Sequence, residues 1–117
     1  MTPTARTLAF LRAAGFVSEV VEKWNPHSKT RHDLYSCIDV ICLRPGEQGL
    51  LGVQATSGTN HAARVQKILA EPKARLWIEA GQRLWVISWQ KRGARGKRKV
   101  WEPRVEKIEI GMFEGAA

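Results

Sequence analysis

Apolar residues recur at helical spacing through TARTLAFLRAA at positions 4–14, where Leu8, Leu11 and Ala14 share a face beside Phe10. Gly15 supplies a stop, so an amphipathic helix is expected to open the chain. FVSEVVEKW at 16–24 is rich in β-branched and aromatic residues and predicts a strand. Asn25 and Pro26 end it, and NPHSKTRHD reads as a polar loop. CIDVICL at 37–43 predicts a second strand and LLGVQAT at 50–56 a third. RPGEQG between them places proline and glycine where a hairpin turn needs them.

Thr59 or Asn60 can cap a second helix through HAARVQKILA, with Ala62, Val65, Ile68 and Leu69 on one face and Pro72 closing it. In ARLWIEAGQRLWVISWQ, Leu76, Ile78 and Ala80 alternate with Arg75, Trp77 and Glu79. Beyond Gly81 and Gln82, Leu84, Val86 and Ser88 alternate with Arg83, Trp85, Ile87 and Trp89. Alternation on both sides of a glycine-bearing turn predicts a β-hairpin. KVWEPRVEKIEI follows as a last strand interrupted at Pro103. No repeat or linker divides the chain, which reads as one domain over 1–117.

Composition narrows the class. A chain of 117 residues, 44% apolar and 26% charged, is long enough to bury a core of its own. No stretch approaches the roughly 20 apolar residues that cross a bilayer, and the N-terminus reads as a helix, not a signal peptide. Membrane partners are therefore not expected. Cys37 and Cys42 are too few for a disulfide framework or a zinc site; they read as reduced thiols, which points to the cytoplasm. Nineteen basic residues against eleven acids give a net charge of +8. Such a balance suits a polyanionic partner. Lys91, Arg92, Arg95, Lys97, Arg98 and Lys99 crowd around Gly93 and Gly96, either as a solvated hairpin tip or as a nucleic-acid contact.

Asp39 stands inside an apolar strand, where a lone acid is costly unless it has partners or faces a cleft or solvent. Pairing through the turn at 44–49 puts it directly opposite Gln54 on the next strand, with two oxygen-bearing side chains able to face one side.

The order of elements and this pair resemble the PD-(D/E)XK nuclease superfamily, particularly its Holliday-junction-resolvase-like members and small phage nucleases. The likeness covers about residues 5 to 90 and centres on DLYSCIDVICLRPGEQGLLGVQATSGTNHAARVQKI. It implies an α/β fold with a restriction-endonuclease-like αβββαββ core, a mixed central sheet flanked by helices. The family carries an Asp on the second strand and acid-x-Lys on the third. Asp39 matches the first, whereas Gln54, Ala55 and Thr56 stand at the second.

Phosphodiester hydrolysis adds charge to an anionic phosphate and needs an activated water. Mg²⁺ or Mn²⁺ held by hard oxygen ligands meets both needs, with a lysine stabilising developing charge. The resemblance implies Asp39 as first metal ligand, the amide oxygen of Gln54 as a weaker neutral one, and the Ala55 carbonyl as a third. Thr56, at the lysine's catalytic position, cannot supply its charge. Glu22, preferred over Glu19, and Asp33 are candidates for the missing acid; Lys67 and Arg64 on the next helix are candidates for the missing cation. Solvated faces explain Glu22, Arg64 and Lys67 equally simply, and a turn cap explains Asp33.

His61, preceded by Ser57, Thr59 and Asn60, opens the second helix and reads as a phosphate contact or as part of a cap. Trp77, Trp85 and Trp89 share a parity and are interleaved with Arg75 and Arg83, as in a base-stacking face, though tryptophans on a sheet are more often core. Trp24 and Trp101 stay undecided. The expectation is a metal-dependent DNA endonuclease acting on branched or structured DNA, with a homodimer called for if the junction is symmetric. The alternative is a degenerate nuclease fold that binds DNA or protein without cutting. An RNA-binding module using the tryptophans is a third reading.

Overall fold

A computed structural model describes residues 1–114, so the last three of the expected 1–117 domain lie outside the described residues. Helix α1 (Pro3–Ala13) starts where Pro3 fits the first turn and Thr2 Oγ1 accepts the amide of Ala5. It is followed by β1 (Val17–Val20), β2 (Lys23–Asn25), β3 (Thr30–His32), β4 (Val40–Leu43) and β5 (Leu51–Ser57). A short 3₁₀ turn leads into α2 (His61–Leu69), then α3 (Pro72–Glu79), β6 (Arg83–Arg92), β7 (Val100–Lys107) and α4 (Ile110–Glu114). The fold is a mixed α/β arrangement. Its main sheet has five strands in the order β1-β4-β5-β6-β7, with β5 and β6 parallel and the other pairs antiparallel.

Strand alternation divides the core in two. Val40, Val53, Ile87 and Trp89 pack with Leu11 and Phe16 on the α1 side, while Ile38, Leu84 and Val86 pack with Val65, Ile68 and Ala74 on the α2–α3 side. Helices thus cover both faces. None of those described is long and apolar enough to cross a membrane.

Three expectations need correction. The hairpin expected over 75–89 does not form; its first half is helix α3. Pro72 sits in the first turn, and the Glu71 side chain accepts the Lys73 amide. Ala74, Trp77 and Ile78, spaced as one helical face, turn inward. Gly81, at φ 92°, ends the helix: its amide donates to the Ile78 carbonyl and that of Gln82 to the Trp77 carbonyl. That is a left-handed helix cap, not a hairpin turn. The crossover through α2 and α3 is what lets β6 lie parallel to β5.

The single strand expected over 16–24 breaks after Val20, and the expected loop at 25–33 contributes β3, which pairs with β2 as a separate hairpin. Asn25 Oδ1 accepts the amides of His27 and Ser28 at its tip. Finally, β7 runs unbroken through Pro103 because it is an edge strand, where a missing amide can face solvent.

Candidate metal centre

Asp39 precedes β4, and its backbone is held from both sides: its amide donates to the Val53 carbonyl of β5 and its carbonyl accepts from the amide of Val21, just past β1. Val40 pairs with Val53, so the register places Asp39 opposite Gln54, as the sequence predicts. Their side chains meet. Asp39 Oδ2 accepts Gln54 Nε2 at 2.6 Å and the Ala55 amide at 2.9 Å.

Asp33 arrives by a tight reversal. Leu34 and Ile38 form an antiparallel bridge, and Tyr35 and Ser36 between them take left-handed backbone angles of 52° and 61°. Asp33 and Asp39 flank that bridge and are thereby brought face to face. Holding two non-glycine residues in this region costs about 1–3 kcal/mol each, strain that the surrounding structure must offset. Gln54 Nε2 lies 3.5 Å from Asp33 Oδ2. Glu22, just before β2, completes the group: ligand oxygens of Glu22, Asp33 and Asp39 all lie within 4.8 Å of one another. Arg31 holds Glu22 by an ion pair of 2.8 Å.

This group can hold a metal ion. The three acids line a cavity of about 280 Å³ together with Thr4, Arg31, Gln54, Ala55, Arg64 and Lys67. Gln54 is only 2% exposed, and among the described residues its buried Oε1 has no hydrogen-bond partner, while its amide nitrogen faces the carboxylates. A cation among the acids would reverse that preference and favour the oxygen, a hard donor matched to the carboxylates. Burial first, then the hydrogen bond with Asp33, pushes the Asp39 carboxyl up from 3.8 to about 7, against the lowering effect of the Ala55 amide.

Arg64 and Lys67, one helical turn apart on α2, both line this cavity, so the candidate cations and candidate ligands share one place. Glu19, by contrast, lies in the middle of β1 outside the acid group. Thr56 is buried two residues beyond Gln54, paired in register with Ser88, and does not line the cavity.

His61 departs from expectation. It is 2% exposed, with Nδ1 2.6 Å from Ser88 Oγ and Nε2 2.8 Å from Glu106 Oε1, so both ring nitrogens are used inside the protein and a phosphate contact is not open to it. Lys91, Arg92, Arg95, Lys97, Arg98 and Lys99 occupy the exposed end of the β6–β7 hairpin. Trp77, Trp85 and Trp89 do not form a stacking face. Trp77 belongs to α3 and donates to the Arg83 carbonyl; Trp85 packs edge-on to Phe16, and Trp89 edge-on to Phe10. Cys37 and Cys42 are buried and unpaired with one another, and burial pushes the Cys37 thiol up to about 12.

Sequence reasoning missed Arg31 and Thr4 as neighbours of the acids. Arg31 lay in a segment read as loop, and Thr4 carries no motif that would mark it. No protein-family model matches the chain, and no curated protein or solved structure matches it.

Proposed function

We propose that the protein is a divalent-metal-dependent endonuclease of the PD-(D/E)XK kind, acting on branched or structured DNA. The observation that carries this reading is the convergence of Glu22, Asp33 and Asp39 beside the unpartnered oxygen of Gln54, with Arg64 and Lys67 on the same cavity. Oxygen donors of this kind fit Mg²⁺ or Mn²⁺. Such an ion, when bound, polarises a phosphate and acidifies water. Asp39, Asp33, Glu22 and the amide oxygen of Gln54 would hold it. Lys67 takes the task of the absent third-strand lysine by stabilising charge that develops on the phosphate, and Arg64 anchors the phosphate beside it. Arg31 holds the Glu22 carboxylate at the cavity by their ion pair.

The register supports a nucleic-acid path as well. Because β5 and β6 run parallel, Ala55 at the cavity and Lys91 at the base of the basic hairpin lie toward the same end of the sheet. Phosphates along one strand then meet the acid cavity and the 91–99 cations in succession. A symmetric junction would be cut by a homodimer with one such cavity in each copy.

Incubating the purified protein with a four-way junction and a linear duplex, with Mg²⁺, Mn²⁺ or EDTA, tests the proposal. Metal-dependent cutting abolished in Asp39→Ala is expected. Salt-sensitive binding with no cutting under either metal would overturn catalysis and favour the degenerate DNA-binding fold, for which Gln54 and Thr56 are the specific grounds.

A further inference from the structure

On the other side of α1 lies a second concavity, of about 370 Å³, walled by Phe10, Trp89, Trp101 and Pro103. Trp101 is 42% exposed there, on the edge strand β7. Two cations attend its ring. The Arg6 guanidinium lies 4.1 Å from the ring centroid and the Lys91 ammonium 5.6 Å from it. Among the described residues, no carboxylate lines this groove.

We propose that this groove stacks the base of an unpaired nucleotide next to the phosphate held at the acid cavity. The position relative to that phosphate rests on the nuclease reading; the stacking itself does not. Aromatic walls with flanking cations and no acid match a flat apolar base attached to phosphates better than they match a neutral apolar surface. Placement adds a second, independent reason. Thr4 lines the acid cavity and Arg6 the groove, two residues apart on the first turns of α1. Residues two apart point to opposite sides of a helix, so the two openings flank the first turns of α1 and are separated by its width, roughly 10 Å, a span that one or two nucleotides of a single strand can bridge. A base inside a duplex has both faces covered by its neighbours and cannot enter. The groove thus selects DNA with unpaired nucleotides beside the cleavage point, such as a flap, an overhang or an opened junction.

The test is affinity without chemistry. In EDTA, wild type, Trp101→Ala and Trp101→Phe are titrated against a labelled oligothymidylate and a blunt duplex of equal length. Trp101→Ala should weaken single-strand binding about 10-fold while leaving duplex binding within about 2-fold, and Trp101→Phe should retain most of the affinity. Thermal melting of each variant checks the fold, which loss of an exposed edge-strand ring leaves in place. An equal loss on both ligands, or none on the single strand, overturns the proposal. So does a dimer in wild type that Trp101→Ala converts to monomer, since the groove would then be a protein interface. If wild type cuts nothing yet single-strand affinity depends on Trp101, the nuclease reading fails and the groove stands. If cutting persists while Trp101→Ala leaves single-strand affinity unchanged, the groove alone fails.

Discussion

The side-chain amide of Gln54, on β5, donates at 2.6 Å to the carboxylate of Asp39, the residue before β4, and the same amide leaves its own oxygen buried without a partner among the described residues. In the proposed metal site a neutral ligand therefore stands where one more charge could sit. In Gln54→Glu the divalent-ion affinity should rise about 10-fold or more, because ligand charge count governs such sites. The apo form should melt lower, since another buried carboxylate joins Asp33 and Asp39. Calorimetric titration with Mn²⁺ and melting in EDTA check both; weaker Mn²⁺ binding in Gln54→Glu would place the ion elsewhere.

The Asp39 carboxyl, raised from 3.8 to about 7 chiefly by burial, gives a definite sign. Between those values the folded state retains a proton that the unfolded chain releases, so this group's contribution to stability is full in acid and is lost as pH rises toward 7. Asp39→Asn should flatten that part of the profile and raise apo stability at alkaline pH. Saturating Mn²⁺ should oppose the decline, because metal binding displaces the proton and tightens as pH rises. Urea unfolding across the pH range, with and without metal, measures all three.

In the proposed reaction Lys67 takes the charge-stabilising task that Thr56 cannot perform. Lys67→Ala should reduce single-turnover cutting by about 100-fold with little change in Mn²⁺ affinity. Lys67→Arg should recover part of the rate. A Lys67→Ala enzyme with undiminished turnover would assign the cation's task to Arg64 instead.

The basic hairpin end should act through phosphates alone. Replacing Arg95, Lys97 and Arg98 together by alanine should shrink the log–log salt slope of DNA binding by about 2 to 3 and affect all sequences alike. An unchanged slope would make the hairpin an ordinary solvated tip.

Ser36, at φ 61° in the reversal between Asp33 and Asp39, is a strained position with a simple remedy. Ser36→Gly should stabilise the fold by about 1 kcal/mol by removing left-handed strain. Denaturant melting reads this directly. A Ser36→Gly protein that melts lower would mean that the hydroxyl, not the backbone, governs the turn.

How much of this was legible in the sequence varied with the range of the interactions. The facing of Asp39 and Gln54 was readable because a short proline- and glycine-bearing turn fixes the register of the strands it joins. Helix α3 was not, because Leu76, Ile78 and Ala80 satisfy a strand's alternation, while the contacts that decide for a helix, such as Trp77 Nε1 to the Arg83 carbonyl, appear only once the chain has folded. The reversal at Tyr35 and Ser36 carried no glycine or asparagine to announce its left-handed angles. The inward turn of His61 depends on Ser88 and Glu106, partners 27 and 45 positions away.

The parallel pairing of β5 with β6 also sets two ends of the sheet apart. The 44–49 turn, tied down by the ion pairs of Glu47 with Arg44 and Arg83, and the cap at Gly81 sit at the end of the sheet remote from the acids, the Trp101 groove and the basic hairpin. A side chain added at Gly46 would meet open space, but φ 86° there favours glycine, so a graft belongs at a neighbouring position of the turn. A dye or surface tether grafted at that turn would leave the acid cavity and the Trp101 groove uncovered.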